Sequence, residues 1–230
     1  MKIFINQYFK FIFPLLLLLL LGRETAIFMA IPQEHYLKEL DFFIPSLIEN
    51  DEKKAKFSNA VAPNIANRKL AHIRYKYCAR KLATYLIFDK PKVVAQRLQC
   101  LSILDDALAV APSSALIWLE KAKLHGQQEN SDELMNQSLF NAWHVAKRQD
   151  WVGLRRMVLS LQNWDKLSDV NKANAMADFM YFSPKSSNIV RSLAHQYLLN
   201  PAAKPIAEAW ISQSEVQVQR QFIGFVRSGR

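Results

Sequence analysis

Apolar residues return at helical spacing between proline and glycine breaks along most of this chain, and that pattern predicts helices throughout. From 66 to 88, Ala71, Tyr75, Cys78, Leu82 and Leu86 form one stripe, and Leu70, Ile73 and Tyr77 form a second. A helix with two apolar stripes is sandwiched between neighbours. Asp89-Lys90-Pro91 breaks it, and the next helix runs to about Val110 with Val94, Leu98, Leu101, Leu104 and Leu108 facing inward. A helix led by Trp118 ends at Gly126, and Asn130 with Glu133 three residues later forms an asparagine version of the capping box for its successor. Ser168 caps a helix over 169–182, with Val170, Ala173, Ala177 and Met180 inward. Ile189, Leu193 and Tyr197 mark another, stopped by Asn200-Pro201, and one or two last helices follow Pro205. Phe222, Ile223, Phe225 and Val226 supply a closing face. The expected fold class is all-α.

The N-terminus carries an uninterrupted apolar run, Phe11 to Leu21, preceded by Lys2 and Lys10. Counting from Ile3 gives nearly enough residues to span a bilayer, and neither Ala26 nor Ala30 has a small residue three positions before a suitable cut. The reading is an uncleaved signal-anchor over 1–31, its N-terminus cytosolic by the positive flank. A juxtamembrane helix starting at Pro32 and a polar linker fill 32–65, and a helical domain occupies 66–230. The chain then lies in the inner membrane with one span and places its C-terminal domain in the periplasm.

The stretch Asp105 to Pro112 has a small residue, Ala107, five positions before a proline, which matches the close of a tetratricopeptide unit. Trp118 and Ala122 then occupy the places where the next unit puts its Trp and its small residue, and Trp151 follows Trp118 at close to the 34-residue period. Antiparallel helix pairs stacked behind one membrane helix are the expected architecture. An ordinary helical bundle is the alternative, because the Leu-Gly pair and the Tyr of the repeat are missing.

The segment from Ser138 to Ser168 resembles small, single-anchor, tetratricopeptide-like bacterial proteins associated with polysaccharide assembly at the inner membrane. The shared residues are Ser138, Leu139, Trp151, Arg155, Leu159 and the Trp164-Asp165-x-Leu167 ending. The likeness covers about 95–182, and Ala146-Lys147-Arg148 replaces the Gly-Pro or similar that the family places before its Trp. The resemblance implies an accessory factor and carries over no catalytic residue. It points to a partner-docking region around Trp118, Trp151, Arg155 and Trp164.

No nucleophile elbow, phosphate-binding loop or dinucleotide fingerprint occurs. The five histidines never fall at His-x-x-x-His spacing, so neither a metal nor a cofactor is expected. Asp105-Asp106 and Asp132-Glu133 are adjacent on helices and point in different directions, as solvated or capping charges do. Cys78 and Cys100 lie nearly level across the turn at Lys90, each on an apolar stripe, which predicts two buried free thiols. A bond between them needs closer packing than the usual 8–10 Å between helix axes.

Net charge is +10, and no acidic residue separates Glu52 from Asp89. On the 66–88 helix, Lys69, Lys76 and Arg80 gather on one flank and Arg74 and Lys81 on another, all expected to face solvent. These five are the candidate polyanion-binding residues. The leading expectation is therefore a non-enzymatic, membrane-anchored scaffold for cell-envelope polysaccharide assembly, partnered by a membrane-embedded polymerase or ligase. The alternative is a module that binds acidic polysaccharide or anionic lipid headgroups through its basic helix. An envelope enzyme with an unrecognised acidic residue is third, and nucleic acid is not an expected ligand.

Overall fold

The computed structural model describes residues 68–229, with side chains from Arg74 onward, Tyr77 apart. The anchor expected over 1–31 and the segment expected over 32–65 lie outside the described residues. Among the described residues every regular element is a helix, and no helix is long and apolar enough to cross a membrane. The chain divides into two compact units, one ending at Pro112 and one beginning at Ser113.

In the first unit, α1 (Arg68–Phe88) and α2 (Val93–Val110) pack against each other across a single 3₁₀ turn at Lys90–Lys92. Pro91 sits in that turn, where its missing N–H costs nothing. Tyr75, Cys78 and Leu82 are buried as the stripe predicts, while Leu86 is exposed. The expectation of two free thiols is overturned: Cys78 and Cys100 form a disulfide, with Cα atoms 5.6 Å apart. Of the five residues expected inward on α2, Leu101, Leu104 and Leu108 are buried and the other two are not. Val94 and Leu98 are exposed, and Val93, Gln96, Cys100, Leu104 and Ala107 are buried. The bond fixes the rotation of α2 by turning Cys100 toward α1. Gln96 follows one turn earlier, its Nε2 donating to Cys78 Sγ at 2.9 Å.

The second unit contains α3 (Ala115–Gly126), α4 (Asp132–Val145), α5 (Asp150–Gln162), α6 (Asp169–Phe182), α7 (Ser187–Leu199), α8 (Lys204–Ser212) and α9 (Val216–Ser228). Consecutive helices pair: α3 lies on α4 and α5 on α6, while α9 returns to α7. Alternate helices also touch, α3 with α5, α4 with α6 and α5 with α7. One core holds Leu119, Met135, Leu139, Val152 and Leu159; the other holds Met157, Phe179, Val190, Leu193 and Trp210.

Two local readings change. Asn130 is not a helix cap; it adopts φ 57°, a left-handed conformation that asparagine tolerates better than most residues, and Ser131 stands at the start of α4. Ser168 does cap α6, its Oγ accepting from the Asn171 N–H at 3.4 Å. The buried face of α6 is rotated from expectation: Val170, Ala173 and Ala177 are exposed and Met180 is half-buried, whereas Asn171, Ala175, Asp178, Phe179 and Phe182 are buried. Polar residues go inward because partners await them. Asn171 Nδ2 donates to the Asn136 carbonyl at 2.8 Å and to Asn136 Oδ1 at 2.9 Å, and Asp178 meets Arg156.

Gly153 lets α5 approach α6 closely. A Cβ there would stand 2.5 Å from Phe182 Cε2 and 2.9 Å from Cδ2, and that ring is buried. Gly153→Ala gains roughly 1 kcal/mol of helix propensity but overpacks the contact, which costs about 1–3 kcal/mol. A net loss of stability is expected, seen as a lowered Tm by tryptophan fluorescence. An unchanged or raised Tm would show that the ring yields without cost.

Candidate functional site

The two ends of the second unit differ in kind. At one end, amides stitch the turns together. Asn136 Nδ2 donates to the Lys166 carbonyl at 2.8 Å, its Oδ1 accepts from the Ser168 N–H at 2.8 Å, and Asn200 Nδ2 donates to the Leu161 carbonyl at 3.1 Å. Asp132, Asp165 and Asp169 lie in or beside these turns.

The opposite end is basic and aromatic. Lys147 and Arg148 occupy the α4–α5 turn, and Lys185 occupies the α6–α7 turn. Each cation sits over a ring: Lys147 Nζ is 4.3 Å from the Trp143 centroid, Lys185 Nζ 3.4 Å from that of Tyr181, and the Arg148 guanidinium carbon 6.0 Å from the same Tyr181 ring. Such contacts are attractive at these distances and hold long, mobile side chains in place. Tyr181 therefore ties the two turns together. Asp150, the acid next in sequence, accepts from the Trp151 N–H at 2.7 Å.

Beneath this end lies the strongest polar constraint in the unit. Arg156 and Asp178 are both buried and meet side by side, Nε to Oδ2 at 2.8 Å and Nη2 to Oδ1 at 2.7 Å. The remaining donor, Nη1, reaches the carbonyls of Ala142 at 3.1 Å and Ala146 at 3.0 Å. Burial pushes the Asp178 carboxyl above its ordinary value, and the hydrogen bonds and charge of Arg156 pull it back in part. Because Arg156 grips the last turn of α4, it fixes where Lys147 and Arg148 emerge.

The residues singled out from the sequence scatter. Arg155, exposed, spans from α5 to α3 through Glu120 at 3.8 Å and lies 5.7 Å from the Trp151 centroid. An ion pair so exposed contributes under about 1 kcal/mol. Trp118 is half-buried, with Lys121 Nζ 5.6 Å from its ring. Trp164 is turned into the protein, edge-on to Trp210 at 5.8 Å and packed against both cores.

On α1, the expected solvent-facing set does not hold together. Lys76 and Arg80 are exposed, and Lys81 lies half-buried with its Nζ 5.6 Å from the Tyr85 centroid. Arg74 is buried, 3.9 Å from Asp106, because α2 covers that flank. Burial lowers its affinity for the proton, and the Asp106 charge offsets part of that. Lys69 falls in the first turn of α1, and its side chain is outside those described.

Among the described residues, no three His, Cys, Asp or Glu side chains come together in a way that could hold a metal ion. A shallow groove of about 650 Å³ between α7 and α9 is lined by Arg191, Gln221, Gly224, Phe225 and Ser228. Compared with protein-family models, curated proteins and solved structures, the chain matches none.

Proposed function

We propose that this chain is a non-enzymatic accessory scaffold for cell-envelope polysaccharide assembly. In this reading, helix pairs of tetratricopeptide type stand on one N-terminal membrane anchor and dock a membrane-embedded polymerase or ligase. The observation that carries it is the contact order of the second unit, in which consecutive helices pair and alternate helices touch. That is how stacked repeats bury a continuous core while leaving one continuous face open for a partner. The boundary at Pro112, where the sequence closes a repeat, is in keeping with it. The Cys78–Cys100 bond favours an oxidising compartment, as a periplasmic domain requires.

The docking face in this reading is the α3–α5 surface carrying Trp118, Glu120 and Arg155. A photo-crosslinking residue at position 118 in the full chain should trap a polysaccharide polymerase or ligase from intact membranes. Glu120→Arg should weaken that product, since it sets like charges together at Arg155. Crosslinks confined to proteins without a role in polysaccharide assembly, or products unaffected by Glu120→Arg, would overturn the reading.

A further inference from the structure

We infer that the basic, aromatic end of the second unit is a bilayer-facing surface that recognises anionic lipid headgroups. Three features carry this, and none of them needs the scaffold reading.

The first is charge. Lys147, Arg148 and Lys185 converge there from two turns; Asp178 is paired with Arg156, which leaves Asp150, held by the Trp151 N–H, as one anion against three cations. The field at this end is positive, and cations near an anionic leaflet each add about 1 kcal/mol of attraction.

The second is the apolar rim. Val145, Trp151 and Tyr181 remain 37%, 47% and 42% exposed beside those cations. Tryptophan and tyrosine next to lysine and arginine are the side chains that settle at the headgroup level, their rings in the apolar boundary and their polar atoms in water. A soluble polyanion gives the exposed Val145 and Trp151 nothing to cover them.

The third is how the rings are used. Lys185 and Lys147 stand 3.4 and 4.3 Å from the Tyr181 and Trp143 centroids, so those faces are taken. Sugars stacking on aromatic faces would have to displace them. A phosphate approaching from outside meets ammonium and guanidinium groups already held in position, which lowers the entropy cost of binding. The geometry thus selects headgroup phosphates over a stacked glycan. The Arg156 clamp on the Ala142 and Ala146 carbonyls supplies the rigidity beneath.

The test uses the full chain with vesicles containing brominated acyl chains, which quench tryptophans that reach the headgroup boundary. With phosphatidylglycerol present, quenching is expected, and Trp151→Phe should remove most of it. The combined Lys147→Glu, Arg148→Glu and Lys185→Glu variant should weaken the contact equilibrium by at least about a hundredfold, because each reversal replaces an attraction with a repulsion. High salt should do the same to the wild type, because screening shortens to about 3 Å at 1 M. Circular dichroism confirms that the variant folds. Equal quenching of wild type and variant overturns the inference, as does equal quenching in purely zwitterionic vesicles. Absence of quenching, with soluble acidic polysaccharide bound by the wild type and lost in the variant, also overturns it and reassigns the cations to a glycan. Crosslinking from position 118 is read separately, so the failure of either proposal leaves the other standing.

Discussion

Arg156→Leu is expected to lower the stability of the unit beginning at Ser113 by about 3–5 kcal/mol, the usual cost of orphaning one member of a buried ion pair. The variant leaves the Asp178 carboxylate without its donors in a site where both side chains are 3% exposed. It also frees the Ala142 and Ala146 carbonyls, which accept from Nη1 in the native protein. All five tryptophans lie between 118 and 210, so their fluorescence reports this unit. In urea the midpoint should fall by roughly 2 M, for an m-value near 2 kcal/mol/M. The companion variant, Arg156→Leu with Asp178→Leu, should recover the part due to the orphaned carboxylate, because two well-packed apolar groups need no partners, but not the part due to the two carbonyls. A single variant within about 1 kcal/mol of wild type would show that water or a rearranged neighbour satisfies Asp178, and would remove the clamp from the account of the basic end.

That clamp also marks where the sequence stopped being readable. Helix positions were legible wherever apolar spacing and breakers agreed, as in α7, whose Ile189 and Leu193 are buried and which stops before Pro201. They misled where polar side chains point inward. In α6 the apolar Val170 and Ala173 suggest one face, but Asn171 and Asp178 select another because Asn136 and Arg156 wait there. In α2 the apolar spacing places Leu101, Leu104 and Leu108 correctly, but it includes Val94 and Leu98, which are exposed, and misses Gln96, which is buried against Cys78. Arg155 and Arg156 are indistinguishable as residue types, and the resemblance drew attention to the exposed one. A usable signal did exist: Gly153 and Arg156 are three apart on one helix face, so a close helix contact at Gly153 buries Arg156 too. The basic end had no such signal. Lys185 is far in sequence from Lys147 and Arg148, and only the α6–α7 turn brings it to Tyr181 beside them.

Breaking the Cys78–Cys100 bond should destabilise the α1–α2 pair by about 3 kcal/mol, from the entropy restored to an unfolded loop of sequence separation 22. Both residues are nearly inaccessible, Cys78 at 2% and Cys100 at 0%, so a reductant acts only through opened forms of the pair. Two measurements follow. Alkylation of the denatured but unreduced protein should label neither cysteine, and added reductant should release both; two labelled thiols at the first step would rule the bond out. In the Cys78→Ser and Cys100→Ser double variant, hydrogen exchange across α1 and α2 should quicken by roughly a hundredfold, the equivalent of about 3 kcal/mol. Gln96 adds a control, since its amide donates to Cys78 Sγ. Gln96→Ala removes that contact but keeps the cross-link, so its effect should stay near 1 kcal/mol. If Gln96→Ala matched the double variant, the pair would owe its stability to packing around the amide and not to the covalent staple. The same comparison bears on compartment. A chain held in a reducing cytosol lacks the bond and should show the exchange of the double variant, whereas a chain exported to an oxidising space should show the protection of the wild type.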